Sequence, residues 1–209
     1  MSMYKTAIIK NFLSDDQLST IRYLINSYEQ TAADIVEAPI GRYLGVSSEL
    51  NILLNSLIEK LPNEILYIKI LDATIPGGPH ADTYLPPNPV TIPKFARTFI
   101  IPFEDTNTNT VLFNEALPIG EDMMNHINNV LVKATKSIIT EEIHSKYLTH
   151  CSLEICEKLS LDVIFPWVAG DMLIFDRTKL HCSDNYIVNN LENKKGFVIW
   201  SEIIDTELC

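Results

Sequence analysis

The chain has 209 residues, 46% hydrophobic and 21% charged, with 7 Gly and 11 Pro. This composition suits one sizeable core and excludes a disordered, collagen-like or coiled-coil chain. A formal net charge of -11 repels phosphate backbones, so nucleic acid is not an expected partner, although a local basic pocket can still take one small anion.

Four cysteines (Cys151, Cys156, Cys182 and Cys209) have no paired spacing. No apolar run reaches the roughly 18 residues of a membrane span, and the first residues lack a signal-peptide pattern. The expectation is a cytoplasmic protein with free thiols and no membrane partner, as a monomer or homodimer.

Ser14-Asp15-Asp16-Gln17 is a capping box, and Leu18, Ile21, Leu24, Ile25 and Tyr28 recur at helical spacing, which predicts a helix over 15–30. Ser47 or Ser48 caps a second helix with the stripe Leu50, Leu53, Leu54, Leu57 and Leu61, ended by Pro62. Residues 64–75 are rich in β-branched and aromatic types and predict a strand, broken by Pro76-Gly77-Gly78-Pro79. Residues 96–103 and 108–114 predict a strand pair joined by a polar turn over 104–107.

A helical insertion is predicted over 120–160. Met123, Ile127, Val130, Leu131 and Ala134 form one apolar face, and shorter helical pieces follow near 140–148 and 153–159. Residues 171–176 and 195–203 predict two late buried strands. The order of elements gives one α+β domain over 1–209 with a β core, for which a barrel or sandwich is the natural form.

The chemistry concentrates at His80-Ala81-Asp82, directly after a strand and a Gly/Pro turn, answered by a late His181. Residues two apart on an extended segment point the same way, so His80 and Asp82 can meet one ion. Two imidazoles and one carboxylate on one face of a metal leave the opposite face open for a co-substrate and O2. With 5 His and 27 Asp+Glu, His-x-Asp/Glu arises by chance roughly 0.6 times in such a chain. The weight therefore rests on the turn before His80 and on the Gly170-Asp171-x-x-x-Phe175 strand before His181.

Over most of its length the sequence resembles the 2-oxoglutarate/Fe(II)-dependent dioxygenase superfamily, in a small, prolyl-hydroxylase-like form. The residues that carry the likeness are 76–82, Arg97-Thr98-Phe99-Ile100-Ile101-Pro102, Thr110-Val111-Leu112-Phe113, Gly170 to Asp176 with Leu180-His181, and Lys194 to Trp200, in the family's order. The resemblance implies a double-stranded β-helix (a jelly-roll or cupin-like barrel) with the N-terminal helices packed on one sheet and a helical insertion between barrel strands. It implies Fe(II) held by His80, Asp82 and His181, with 2-oxoglutarate and O2 as co-substrates. The implied activity is hydroxylation of a small-molecule or peptidyl, amino-acid-like substrate.

In that family a basic residue six positions before an aromatic binds the C5 carboxylate of 2-oxoglutarate, which points to Lys194 before Trp200, with Lys195 and Arg97 as the next candidates. Trp200 is a candidate wall of the same site. The family more often has arginine, followed two residues later by a hydroxyl residue; this chain has lysine and then Gly196. A lysine is a point charge without a bidentate fork, so a Tyr or Thr hydroxyl must complete the site. The missing hydroxyl is the one feature that favours the rival reading, a cupin-like isomerase or binding module without oxygenase activity.

Elsewhere, Tyr84 and the Pro-rich loop over 85–93 are candidate rim residues, and Asp176 and Arg177 read as a structural turn. His126, His144 and His150 read as surface or interhelical residues. Cys151 and Cys156 beside His150 match no structural zinc spacing, and Cys182 reads as a buried thiol pointing away from the metal.

Overall fold

The computed structural model of the chain describes residues 5–58, 64–82, 97–117 and 139–203. A short strand β1 (Ala7–Ile9) leads to helix α1 (Asp15–Ser27), which begins where the capping box sets it. The Gln17 N–H donates to Ser14 Oγ (3.3 Å) and the Ser14 N–H donates to Gln17 Oε1 (2.8 Å). A hairpin of β2 (Ile35–Ala38) and β3 (Gly41–Leu44) follows, then α2 (Ser48–Ile58), capped by Ser47 Oγ, which accepts from Leu50 N–H at 3.2 Å.

The remaining elements are β4 (Glu64–Ala73), β5 (Arg97–Pro102), β6 (Asn109–Ala116), α3 (Glu141–Tyr147), α4 (Leu153–Cys156), β7 (Leu161–Pro166), β8 (Met172–Asp176), β9 (Lys179–Ser183) and β10 (Lys194–Ile203). The fold is thus mostly β. A larger sheet runs β1-β8-β5-β10-β4-β3-β2, and a smaller one runs β7-β6-β9.

Period-two alternation sorts each strand of the larger sheet into two faces. Phe99, Ile101, Phe197, Ile199, Ile68 and Ile70 point to the face covered by the helices, where Leu18, Ile21, Leu50 and Leu54 close a core. Ile100, Leu173 and Phe175 point the other way and meet Leu112, Phe165 and Trp167 of the smaller sheet's side. A third cluster lies behind the smaller sheet, where Val111, Phe113, Leu180 and Cys182 pack under Leu148, Cys151 and Cys156.

Residues 97–102 and 109–116 do form strands, but they do not pair with each other. β5 lies between β8 and β10 in the larger sheet, and β6 lies between β7 and β9 in the smaller one. The intervening turn crosses from one sheet to the other and is fixed there by Thr106 N–H to the Trp167 carbonyl (3.2 Å) and Ala169 N–H to Asp105 Oδ1 (2.8 Å). Both strands carry apolar residues on both faces, so each is buried by layers above and below and neither serves as a hairpin edge.

β1, the β2–β3 hairpin, β7 and β9 are strands that the sequence pattern did not suggest. The expected helical pieces appear as α3 and α4 between β6 and β7. The longer helix expected on Met123, Ile127, Val130, Leu131 and Ala134 lies outside the described residues, as do Tyr84, the loop over 85–93, His126 and Cys209. Among the described residues no helix is long and apolar enough to cross a membrane.

Leu54 is fully buried between α2 and the larger sheet. Leu54→Ala should lower unfolding free energy by about 2–5 kcal/mol in a urea titration. Ligand binding at folded temperatures should be unchanged, because the residue lies on the sheet face opposite the cavity described below.

Candidate metal centre

After β4 the chain turns through residues 76–79 and then meets β9 at His80. His80 and His181 face each other across an antiparallel bridge: the His80 N–H donates to the His181 carbonyl (2.9 Å) and the His181 N–H to the His80 carbonyl (2.8 Å). Directly opposed residues in such a pair send their side chains to the same face, and the two imidazole centroids are 4.3 Å apart.

Asp82, two residues on, points to that face too. Its backbone is held from both directions by Arg177: the Asp82 N–H donates to the Arg177 carbonyl (3.0 Å), and Arg177 Nε donates to the Asp82 carbonyl (2.7 Å). Asp82 Oδ2 lies 3.7 Å from His181 Nε2. The expected triad therefore converges, with one ligand atom from each residue within 4.8 Å of the others.

The hydrogen bonds fix which atoms face an ion. His80 Nδ1 lies 2.9 Å from the Gly78 carbonyl and His181 Nδ1 lies 3.1 Å from the Lys179 carbonyl. A carbonyl only accepts, so each Nδ1 carries a proton, and in the neutral form of each ring the lone pair is on Nε2. Burial lowers the His181 pKa to about 4 against the pull of the Asp82 carboxylate, so the ring is neutral at pH 7.

Burial alone would raise the Asp82 carboxyl, but the facing His181 and His80 imidazoles and the Thr98 hydroxyl hold it below the usual carboxylate range. Thr98 Oγ1 donates to Asp82 Oδ2 at 2.8 Å, and the buried Trp200 indole faces the same group. Two imidazoles and an ionised carboxylate are the donor set that a first-row divalent ion takes on one face.

The cavity beside the triad is lined by Tyr43, Leu71, Ile100, Thr110, Trp167 and Lys194 among others. Lys194 is 2% exposed and enters from the first residue of β10. Its ammonium donates to the Asn109 carbonyl at 2.6 Å, lies 3.4 Å from Thr110 Oγ1, and sits 4.2 Å above the Trp167 ring. Among the described residues no carboxylate forms an ion pair with it, and burial lowers its pKa to about 7, with Asp184 and Cys182 pulling the other way. A buried cation facing a cavity without a counter-ion is suited to an anionic ligand.

Lys195, the next residue, points to the opposite face and reaches Asp72 at 3.8 Å. Arg97 shares the face of Phe99, with its guanidinium 5.5 Å over that ring. Neither lines the cavity.

Gly196 acquires a reason here. A Cβ at this position would stand 2.7 Å and 2.8 Å from two Trp167 ring carbons, so only glycine lets the indole lie against Lys194. Trp167 Nε1 then donates to Thr110 Oγ1 at 2.8 Å, which leaves the Thr110 proton free to donate into the cavity. Thr110 supplies a hydroxyl that position 196 lacks. Thr98, Thr110 and Tyr43 are cavity-side residues to which the sequence reading gave no role; the signal available for the two threonines was a polar residue at an inward position of an otherwise apolar strand. Arg177, read as part of a structural turn, holds the Asp82 backbone.

No family model matches the chain, and no curated protein matches it. Solved structures do. The carbocyclase SnoK from nogalamycin biosynthesis, titled as non-heme and α-ketoglutarate dependent, is similar over 94% of this chain and 79% of its own, with 16% identity and a TM-score of 0.54. The epimerase SnoN, solved in complex with Fe3+, α-ketoglutarate and nogalamycin RO, matches over 94% of this chain and 78% of its own at 12% identity and TM-score 0.53. AviO1 from Streptomyces viridochromogenes Tue57 matches over 96% and 90% at 11% identity and TM-score 0.51. At these identities the likeness is one of fold.

Gly196→Ala should push the Trp167 indole off Lys194 and cost about 1–3 kcal/mol of stability. Denaturant unfolding gives the loss, and a shift in tryptophan emission reports the displaced ring.

Proposed function

We propose that the chain is an Fe(II)- and 2-oxoglutarate-dependent dioxygenase on a double-stranded β-helix, hydroxylating a small-molecule or peptidyl, amino-acid-like substrate. The observation that carries this reading is that one cavity contains both the His80–Asp82–His181 triad and the buried Lys194. A metal site alone would fit many activities. The pairing with an uncompensated cation fits a ligand that chelates at one end and is anionic at the other.

Bound iron supplies O2 activation coupled to oxidative decarboxylation of 2-oxoglutarate to succinate and CO2. The protein's part is positional. His80 and His181 offer Nε2 and Asp82 its carboxylate, while Arg177 and Thr98 keep Asp82 in place. Lys194 pairs with the C5 carboxylate, and the Thr110 hydroxyl donates to it. Leu71, Ile100 and Val198 line the cavity with apolar surface and limit water.

SnoN, solved with iron, α-ketoglutarate and a small molecule, supports the class on the same fold. The rival reading as a metal barrel without oxygenase activity drew on the missing hydroxyl at Gly196, and Thr110 answers it. Described cysteines Cys151, Cys156 and Cys182 are free thiols, which supports a reducing compartment such as the cytoplasm.

Under anaerobic conditions, Fe(II) and 2-oxoglutarate together should give a visible charge-transfer band. Admitting O2 should then release succinate, and His181→Ala should lower that release by at least about 100-fold. Absence of both band and succinate from the wild-type chain would overturn the assignment.

The lysine adds a pH dependence. Its pKa is about 7 in the free protein, and a bound carboxylate raises it, so binding takes up a proton between the two values. The affinity for 2-oxoglutarate should be insensitive to this group below about pH 7 and fall by up to about tenfold per unit above it. Calorimetry in buffers of different ionisation enthalpy measures the uptake, and Lys194→Met should abolish it while raising the KM for 2-oxoglutarate by about 100-fold.

A further inference from the structure

Behind the triad, in the core between the smaller sheet and the α3–α4 segment, three further side chains meet. His150, Cys151 and Cys182 each bring a ligand atom within 4.8 Å of the others. Cys182 follows His181 on β9, so alternation sends the two to opposite faces: His181 to the cavity, Cys182 to the outer cluster with Cys151 and Cys156. The two constellations share no ligand.

Buried cysteines often act only as small apolar residues. Three observations set these apart. The His150 ring lies against Cys151, with Nε2 3.3 Å from its Sγ. His150 Nε2 also lies 3.2 Å from the Gly77 carbonyl, to which it donates, so the lone pair is on Nδ1. That Nδ1 is buried and has no hydrogen-bond partner among the described residues, a cost that a bound cation removes. The N–H to a backbone carbonyl is the arrangement that orients a metal-binding imidazole. Finally, the fully buried Cys156 hydrogen-bonds Cys151, placing another sulfur beside the three.

We propose that His150, Cys151 and Cys182 form a second metal site, for a thiophilic d10 ion of the zinc class. Thiolate sulfur and imidazole select such an ion over iron(II) with its oxygen-rich co-substrate. Its position gives it a structural part. It ties the loop between α3 and α4 to β9, and through the Gly77 carbonyl it touches the turn that presents His80.

Cobalt(II) is the probe that tells the sites apart, because only sulfur ligands give an intense near-ultraviolet thiolate-to-cobalt band. The full chain, stripped of metal under reducing conditions, should develop this band with one equivalent bound there and lose it on adding zinc. The band should persist in His80→Ala/His181→Ala and disappear in Cys151→Ser/Cys182→Ser, which should bind one zinc fewer than wild type. For the unsubstituted chain, X-ray absorption after zinc loading should show sulfur in the ligand shell. No band in the wild-type chain, a band that survives both serines, or a shell of nitrogen and oxygen alone would overturn the proposal. Succinate release does not enter this test, so the oxygenase reading and the second site stand or fall separately.

Discussion

Two backbone hydrogen bonds, exchanged between His80 and His181, hold the site together. They join a segment that belongs to neither sheet to the edge strand of the smaller one, and they set the register. A slip of one residue would turn Asp82 and one imidazole to the wrong face. The Arg177 contacts on the Asp82 backbone prevent that slip from the far end, and the two Nδ1–carbonyl contacts lock the rings within it. The three proposed ligands are thus aligned by main-chain geometry, which would limit the reorganisation that binding an ion requires.

The opposite end of the cavity is arranged around a costly group. A lysine ammonium taken out of water loses far more than one hydrogen bond returns. The Asn109 carbonyl, the Trp167 ring and the more distant Asp184 offset part of that loss, and the lowered pKa records the remainder. Asp184 is itself held by Thr108 Oγ1 (2.5 Å) and Asn109 Nδ2 (2.7 Å), so it compensates from a fixed distance without closing an ion pair. Glycine at 196, tryptophan at 167 and threonine at 110 are one solution to a single packing problem: a cation, its aromatic cover and a hydroxyl must share the end of a small cavity.

Sequence reading named His80, Asp82 and His181, which the fold brings together, and, through the family resemblance, Lys194, which lines the same cavity while Lys195 faces away. His-x-Asp on an extended segment and Lys-Lys on a strand follow from alternation alone. The α1 capping box is equally local. What escaped is set by partners distant in the chain. β9 is only five residues of mixed polarity, and its pairing with β6 and with His80 makes it a strand. Residues 97–102 and 109–116 look like a hairpin because a short polar turn separates them; only burial on both faces of each strand distributes them to different sheets. Thr98 and Thr110 gain their roles from Asp82 and Trp167, residues 16 and 57 positions away. The Cys182–His150–Cys151 meeting is of the same kind, since no linear spacing encodes it.

The sheet orders have a kinetic consequence. β1 pairs with β8, β4 with β10 and β5 with β8 and β10, so the chain must close loops of tens to more than a hundred residues before the larger sheet is complete. High contact order makes such topologies slow to fold, because closure entropy is spent before the contacts repay it. His80 meets His181 only where β9 lies alongside the 80–82 segment, so the triad exists only once these distant parts of the chain have come together. An ion bound there would meet a formed scaffold, in contrast to zinc fingers, whose folding waits for the ion.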